Sequence, residues 1–163
     1  VIASGLTSPP HLGIMGGSNG GLLMGVMLNQ RPDLWNAVVV QVPLLDMFRY
    51  HTLLAGASWV DEYGSPDVPE ERAFLETISP YHNFREEKEY PAPFFVTSTK
   101  DDRVHPCHAR KMAKLFEESD KPFFYYENID GGHSAAANQT ERAKRTALEY
   151  IYLTRRLMDD SSE

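Results

Sequence analysis

Four short runs of β-branched and aromatic residues punctuate this chain, at 12–16, 37–42, 93–99 and 123–129, each bounded by Gly, Pro or Asp. Runs of that length and make-up read as strands. Between them the apolar positions recur at helical spacing, which predicts helices near 19–30, 44–55, 70–77, 106–119 and 134–157. In the last of these, Ala143, Ala147, Tyr150, Ile151 and Leu153 or Leu157 form the stripe expected to pack on a sheet. Strands that alternate with helices are joined by crossovers, and crossovers make neighbouring strands parallel. The expected fold class is therefore α/β: a mostly parallel sheet flanked by helices. The stretch 61–92, with its prolines and charges, reads as an excursion between two strands rather than a linker between domains, and no repeat or low-complexity segment interrupts the pattern.

The first strand runs into the first helix through Gly16-Gly17-Ser18-Asn19-Gly20-Gly21. This is the G-x-S-x-G pattern of a nucleophile elbow, in which a sharp turn lifts a serine hydroxyl clear of the sheet of an α/β-hydrolase. Glycines two positions before and after the serine are expected because side chains there would strike the neighbouring strand and helix. Gly-rich turns also cradle phosphates, but no Lys-Ser or Lys-Thr follows for a P-loop, and the glycine spacing does not fit the dinucleotide fingerprint.

An elbow serine needs a histidine and a carboxylate, which in this fold come later in the chain in the order Asp or Glu, then His. The run at 93–99 stops at Lys100-Asp101-Asp102-Arg103, and the run at 123–129 ends in Asp130-Gly131-Gly132-His133. Both candidates thus lie at the C-terminal ends of strands, where open α/β sheets keep their chemistry. His133, on a loop loosened by two glycines, is placed to swing over Ser18 and take its proton, since imidazole titrates near neutral pH. Asp101 or Asp102 would hold that imidazole in the right tautomer; adjacent residues point in different directions, so spacing leaves both open.

Composition narrows the field further. Of 163 residues, 42% are apolar and 24% charged, enough for an ordinary core without a run long enough to span a membrane. A formal net charge of −7 argues against nucleic acid or an anionic membrane as partner. The basic groups Arg142, Lys144, Arg145, Arg155 and Arg156 read as solvated faces of the last helix, as do Glu70-Glu71-Arg72 and Glu117-Glu118 on theirs, while Asp159-Asp160 belong to a fraying tail. The single cysteine, Cys107, cannot close an internal disulfide and leaves the compartment, cytoplasmic or periplasmic, undetermined. His105, Cys107 and His108 lack a further ligand and read as a helix start with exposed imidazoles, so no metal and no cofactor is expected.

Taken together, Gly-Gly-Ser18-Asn19-Gly-Gly, Asn29-Gln30-Arg31-Pro32-Asp33-Leu34, the segment 59–64, Asp101-Asp102-Arg103-Val104 and Gly132-His133 resemble the catalytic domain of the prolyl oligopeptidase family. The likeness covers essentially the whole chain. It implies a serine peptidase of the α/β-hydrolase fold with Ser18 as nucleophile, Asp101 as acid and His133 as base. It further implies an oxyanion donor in the backbone N–H of Asn19, a substrate-backbone contact from Arg103, and a proline pocket lined by Trp59, Tyr63 and Val104, with Trp59 stacked on the proline ring. Leu44 stands where the family's pocket has a valine. The family's β-propeller, its earlier strands and a tyrosine that supplies the second oxyanion donor lie outside these 163 residues. Residues 1–163 are thus expected to form the C-terminal part of one hydrolase domain.

The expected activity is cleavage of short peptides after proline through an acyl-enzyme. An esterase acting on small esters uses the same chemistry, and a non-catalytic piece that folds, oligomerises or associates with the rest of the parent chain is the alternative from another class. From the residues alone, Trp59 reads equally as a plug in the core, and Arg103 as a surface ion-pair partner of the two aspartates.

Overall fold

The computed structural model describes residues 1–159; Asp160, assigned above to the tail, lies outside them. After a 3₁₀ turn at Pro9–His11 come β1 (Gly13–Gly17), α1 (Asn19–Gln30), a 3₁₀ turn at Pro32–Leu34, and β2 (Ala37–Gln41). The excursion that follows holds 3₁₀ segments at Tyr50–Thr52 and Leu54–Trp59, then α2 (Val60–Tyr63), α3 (Pro69–Ile78) and α4 (Pro80–Asn83). The remaining elements are β3 (Phe94–Ser98), α5 (Cys107–Glu118), β4 (Phe124–Asn128) and α6 (Gln139–Leu157). The four strands form one parallel sheet in the order β1-β2-β3-β4, so all their C-terminal ends reach the same edge.

Both faces of this sheet are covered, and β2 shows the alternation that requires it. Val38 and Val40 join Met24, Leu28, Phe95, Met112 and Phe116 under α1 and α5. Ala37 and Val39 turn the other way, to Phe94, Val96 and Tyr152 under α6. A third buried cluster of Leu22, Leu44, Met47, Tyr50, Leu75 and Val104 carries Trp59, Val60 and Tyr63 on its outside.

Two predicted helices differ. Residues 44–55 are irregular apart from the 3₁₀ turns, because side chains take the backbone N–H groups that a helix would need. Nδ1 of His108 accepts from the N–H of Leu45 (3.3 Å) and of Asp46 (3.0 Å), Oγ of Ser79 from that of Met47 (3.0 Å), and Oδ1 of Asp46 from that of Phe48 (3.2 Å). The last helix starts at Gln139 rather than 134: Ala135 has a left-handed φ of 52°, and the side chain of Asn138 caps the first turn by accepting from the N–H of Glu141 at 2.9 Å.

The buried stripe of α6 is also rotated from the predicted one. Leu148, Tyr152, Leu153 and Leu157 pack on the sheet, whereas Tyr150 and Ile151 are 60% and 50% exposed. The Tyr152 hydroxyl fixes that choice, accepting from the N–H of Val38 at 2.9 Å and donating to the carbonyl of Ala92 at 2.7 Å. Two of the basic residues on this helix are tied to the protein rather than solvated: Arg145 donates to the carbonyl of Ser134, and Arg156 to the carbonyl and side-chain oxygens of Asn36.

Candidate active site

Ser18 sits between β1 and α1 at φ 57° and ψ −115°, a backbone conformation that costs a non-glycine residue energy. It is held from both sides. Its N–H donates to the carbonyl of Gln41 at 2.9 Å, and its own carbonyl accepts from the N–H of Leu22 at 3.1 Å, opening the helix. Of the two glycines expected to be crowded, Gly16 is and Gly20 is not. A Cβ on Gly16 would lie 2.6 Å from the carbonyl oxygen of Gly20, and one on Gly21 would lie 2.7 Å from Cβ of Pro43 and 2.8 Å from the carbonyl oxygen of Gln41. A Cβ on Gly20 would meet nothing within 4 Å. The crowded position after the serine is therefore Gly21, not Gly20.

At the end of β3 the two aspartates separate: Asp101 is buried and Asp102 exposed. Oδ1 of Asp101 accepts from the N–H groups of Arg103 and Val104, each at 2.9 Å, which fixes the carboxylate in the loop. Nδ1 of His133, beyond β4, lies 3.0 Å from Oδ1 and 2.9 Å from Oδ2 of the same aspartate. A carboxylate can only accept there, so Nδ1 carries the proton and Nε2 is the nitrogen left for other work. Among the described residues no hydrogen bond runs from Ser18 Oγ to His133.

The loop that carries His133 is braced rather than loose. Oδ1 of Asn128 accepts from the N–H groups of Asp130 (2.9 Å) and Gly131 (2.5 Å), while the hydroxyl of Ser98 donates to the carbonyl of Gly131. A Cβ on Gly131 would lie 2.6 Å from the backbone nitrogen of Ala136, so this glycine serves close packing.

Asn19 is the first residue of α1, and its Oδ1 accepts from the Tyr63 hydroxyl at 2.7 Å. Tyr63 and Trp59 are half-buried on the cluster that contains Val104 and Leu44, so the three residues of the expected pocket and the larger leucine share one patch. Trp59 is thus not a plug deep in the core. Arg103 is exposed and makes no ion pair with Asp101 or Asp102 among the described residues; its carbonyl accepts from the N–H of Ala55 at 3.3 Å, joining the loop after β3 to the segment that bears Trp59.

Sequence reading missed the polar group behind this patch. His108 is 1% exposed, not a surface imidazole, and burial pushes its pKa down from 6.5 to about 4. Asp46, also buried, pairs with Lys111 and lies 3.9 Å from Nε2 of His82. Burial raises its carboxyl, but the hydrogen bond and charge of Lys111 outweigh that and hold it below the usual carboxylate value. Ser79 Oγ lies 2.8 Å from Nδ1 of His82, and burial holds that imidazole below its ordinary value. The available signal was the i, i+3 pair His108 and Lys111 on one face of α5.

Residues 1–160 match the family model described as the prolyl oligopeptidase family. Over 160 residues the chain is 68% identical to a protein of Sinorhizobium fredii described as an uncharacterized peptidase, covering 98% of this chain and 22% of that one. It is 36% identical over 153 residues to a prolyl endopeptidase of Dictyostelium discoideum, covering 90% of this chain and 20% of that one. The solved structure of a post-proline cleaving enzyme from Rickettsia typhi superposes with a TM-score of 0.92 at 38% identity, covering 96% of this chain and 23% of that one. The chain therefore spans about a fifth of the length of these relatives. On the strength of the family match, the partial α/β-hydrolase sheet and the relatives at both levels, the chain belongs to the prolyl oligopeptidase family, a family of serine-type peptidases.

Proposed function

We propose that residues 1–163 are the later part of a hydrolase domain that cleaves peptides on the carboxyl side of proline, with Ser18 as nucleophile, His133 as base and Asp101 as its partner. The observation that carries this reading is the contact of His133 Nδ1 with both oxygens of a buried Asp101, at the sheet edge that also bears the strained Ser18. In this scheme Nε2 of His133 takes the hydroxyl proton as Ser18 Oγ attacks the carbonyl carbon. The oxyanion that forms is met by the N–H of Asn19, and Asp101 stabilises the imidazolium without taking its proton. His133 then gives the proton to the departing amine, and water releases the acyl group by the same route in reverse.

Substrate choice rests on Trp59, Tyr63 and Val104, which share the apolar patch, with Trp59 offering its face to a proline ring and the exposed Arg103 a donor for the peptide backbone. The relatives described as a prolyl endopeptidase and a post-proline cleaving enzyme support the same substrate.

The test is made on the full-length protein with a prolyl amide substrate. Ser18→Ala and His133→Ala should each lower kcat by on the order of 10⁶, and the double variant should lose little more, because such residues act as a unit. Asp101→Asn should lose on the order of 10⁴ and Asp102→Asn less than about tenfold. Additive losses, or the reverse order for the two aspartates, would overturn the assignment.

A further inference from the structure

The Tyr63 hydroxyl has one hydrogen, and it is spent on Oδ1 of Asn19 at 2.7 Å. It therefore cannot donate to a substrate oxygen while that bond holds. Tyr63 is also braced from behind. Its ring meets that of Tyr50 edge-on, with centroids 5.6 Å apart at 88°, and the Tyr50 hydroxyl donates to the carbonyl of the next residue, Gly64, at 2.5 Å. Burial pushes the Tyr63 pKa up to about 12, so the hydroxyl keeps its hydrogen throughout the neutral range.

On the other side of the bond, Asn19 follows Ser18 directly. The strained angles of Ser18 set the direction of the peptide between them, and relaxing that strain would rotate this peptide and the Asn19 N–H with it. A side chain anchored at its tip resists the rotation. We propose that the Tyr63–Asn19 hydrogen bond is a positioning link, which keeps the Asn19 N–H aimed at the developing oxyanion by tying it to the wall of the substrate pocket. Tyr63 is then more than a wall: its ring faces the pocket cluster, and its hydroxyl acts on catalysis through Asn19. This inference rests on the reading of Ser18 as nucleophile and Asn19 as oxyanion donor.

Two variants of the full-length protein each remove one end of the link. Tyr63→Phe deletes only the hydroxyl, and Asn19→Ala deletes the acceptor while keeping the backbone N–H. The readouts are kcat and KM on a prolyl amide and the rate at which a small fluorophosphonate labels Ser18. That probe uses the oxyanion site but not the proline pocket. Each single variant should lower kcat and the labelling rate together by about tenfold, with KM changed less than about threefold. The double variant should be no slower than about twice the slower single, since both remove one bond. A Tyr63→Phe variant that raises KM with labelling unchanged, or additive losses in the double, would overturn the link and leave Tyr63 a pocket wall. A wild-type protein whose Ser18 is not labelled would overturn the underlying reading as well, whereas labelled wild type with unaffected variants overturns the link alone.

Discussion

A serine held at φ 57° stores roughly 1–3 kcal/mol, and it persists only where its surroundings leave no other conformation. Here the surroundings are backbone and a rigid proline ring: the carbonyl of Gly20 against Gly16, and Pro43 with the carbonyl of Gln41 against Gly21. Neither pair can yield without moving a strand end or the elbow itself. Gly21→Ala should therefore lower the melting temperature of the full-length protein and abolish fluorophosphonate labelling of Ser18. Gly20→Ala should keep both, and it gains up to about 1 kcal/mol of helix propensity in the first turn of α1. Equal losses in the two variants would mean that another part of the protein fills the space beside Gly20. The spacing of the motif made Ser18 and Gly16 legible, because both belong to one local turn. Which glycine after the serine is crowded was not legible, since the atoms that decide it sit on residues 41 and 43. The aspartate pair has the same lesson: adjacent in sequence, Asp101 and Asp102 part only once the loop folds one carboxylate onto two N–H groups and His133.

Among the elements, α5 does a job its sequence barely announces. Its outer turns are ordinary helix, but His108 and Lys111 reach under the chain leaving β2 and replace the helix expected at 44–55 with a side-chain-anchored loop. That loop carries Leu44, Met47 and Tyr50 into the cluster beneath Trp59 and Tyr63, so the floor of the proposed pocket depends on a neutral imidazole and an ionised Asp46. Strands were legible because their runs are short, β-rich and bounded. The loop was not, because its hydrogen bonds are made by His108 and Ser79, tens of residues away in the chain. A pH dependence follows. The unfolded His108 protonates near 6.5, the folded one only near 4, so the unfolded chain binds more protons between these values. Stability is then fully present above pH 6.5 and is lost as pH falls towards 4, by at most about 3 kcal/mol. The lowered carboxyl of Asp46 adds a further loss below its unfolded value of 3.8, in the same direction. Urea midpoints of the full-length protein should fall across pH 6.5 to 4, and His108→Asn, which keeps an acceptor but does not titrate, should flatten that slope. An unchanged slope in His108→Asn would assign the titration to another group.

At the scale of the whole molecule, the sheet has two outer strands, and each is paired on one side only among the described residues. Beside β1, Met15 is 49% and Leu23 53% exposed; beside β4, Phe124 is 52% and Ile151 50% exposed. Phe124 and Ile151 also line a hollow of about 300 Å³ together with Phe94, Leu148 and Tyr152. The alternation of strands and helices predicted a parallel sheet with helices about it, and the parallel pairing of all four strands agrees. Which face of α6 is buried escaped the periodicity because Tyr152, an amphipathic residue, sets it through its hydroxyl. Unpaired edges flanked by apolar side chains are templates for association. The relatives are about five times as long as this chain; in the hydrolase domain proposed above, further chain would cover these edges and bring the second oxyanion donor that the family likeness implies. Residues 1–163 made alone should therefore be oligomeric or prone to aggregate. They should also react with a fluorophosphonate at least about a hundredfold more slowly than the full-length protein, the scale of loss when one oxyanion donor is removed. Size-exclusion chromatography with light scattering and the labelling time course measure both. A stable monomer labelled at the full-length rate would show that these edges need no cover and that Ser18, Asp101 and His133 need no donor beyond residues 1–163.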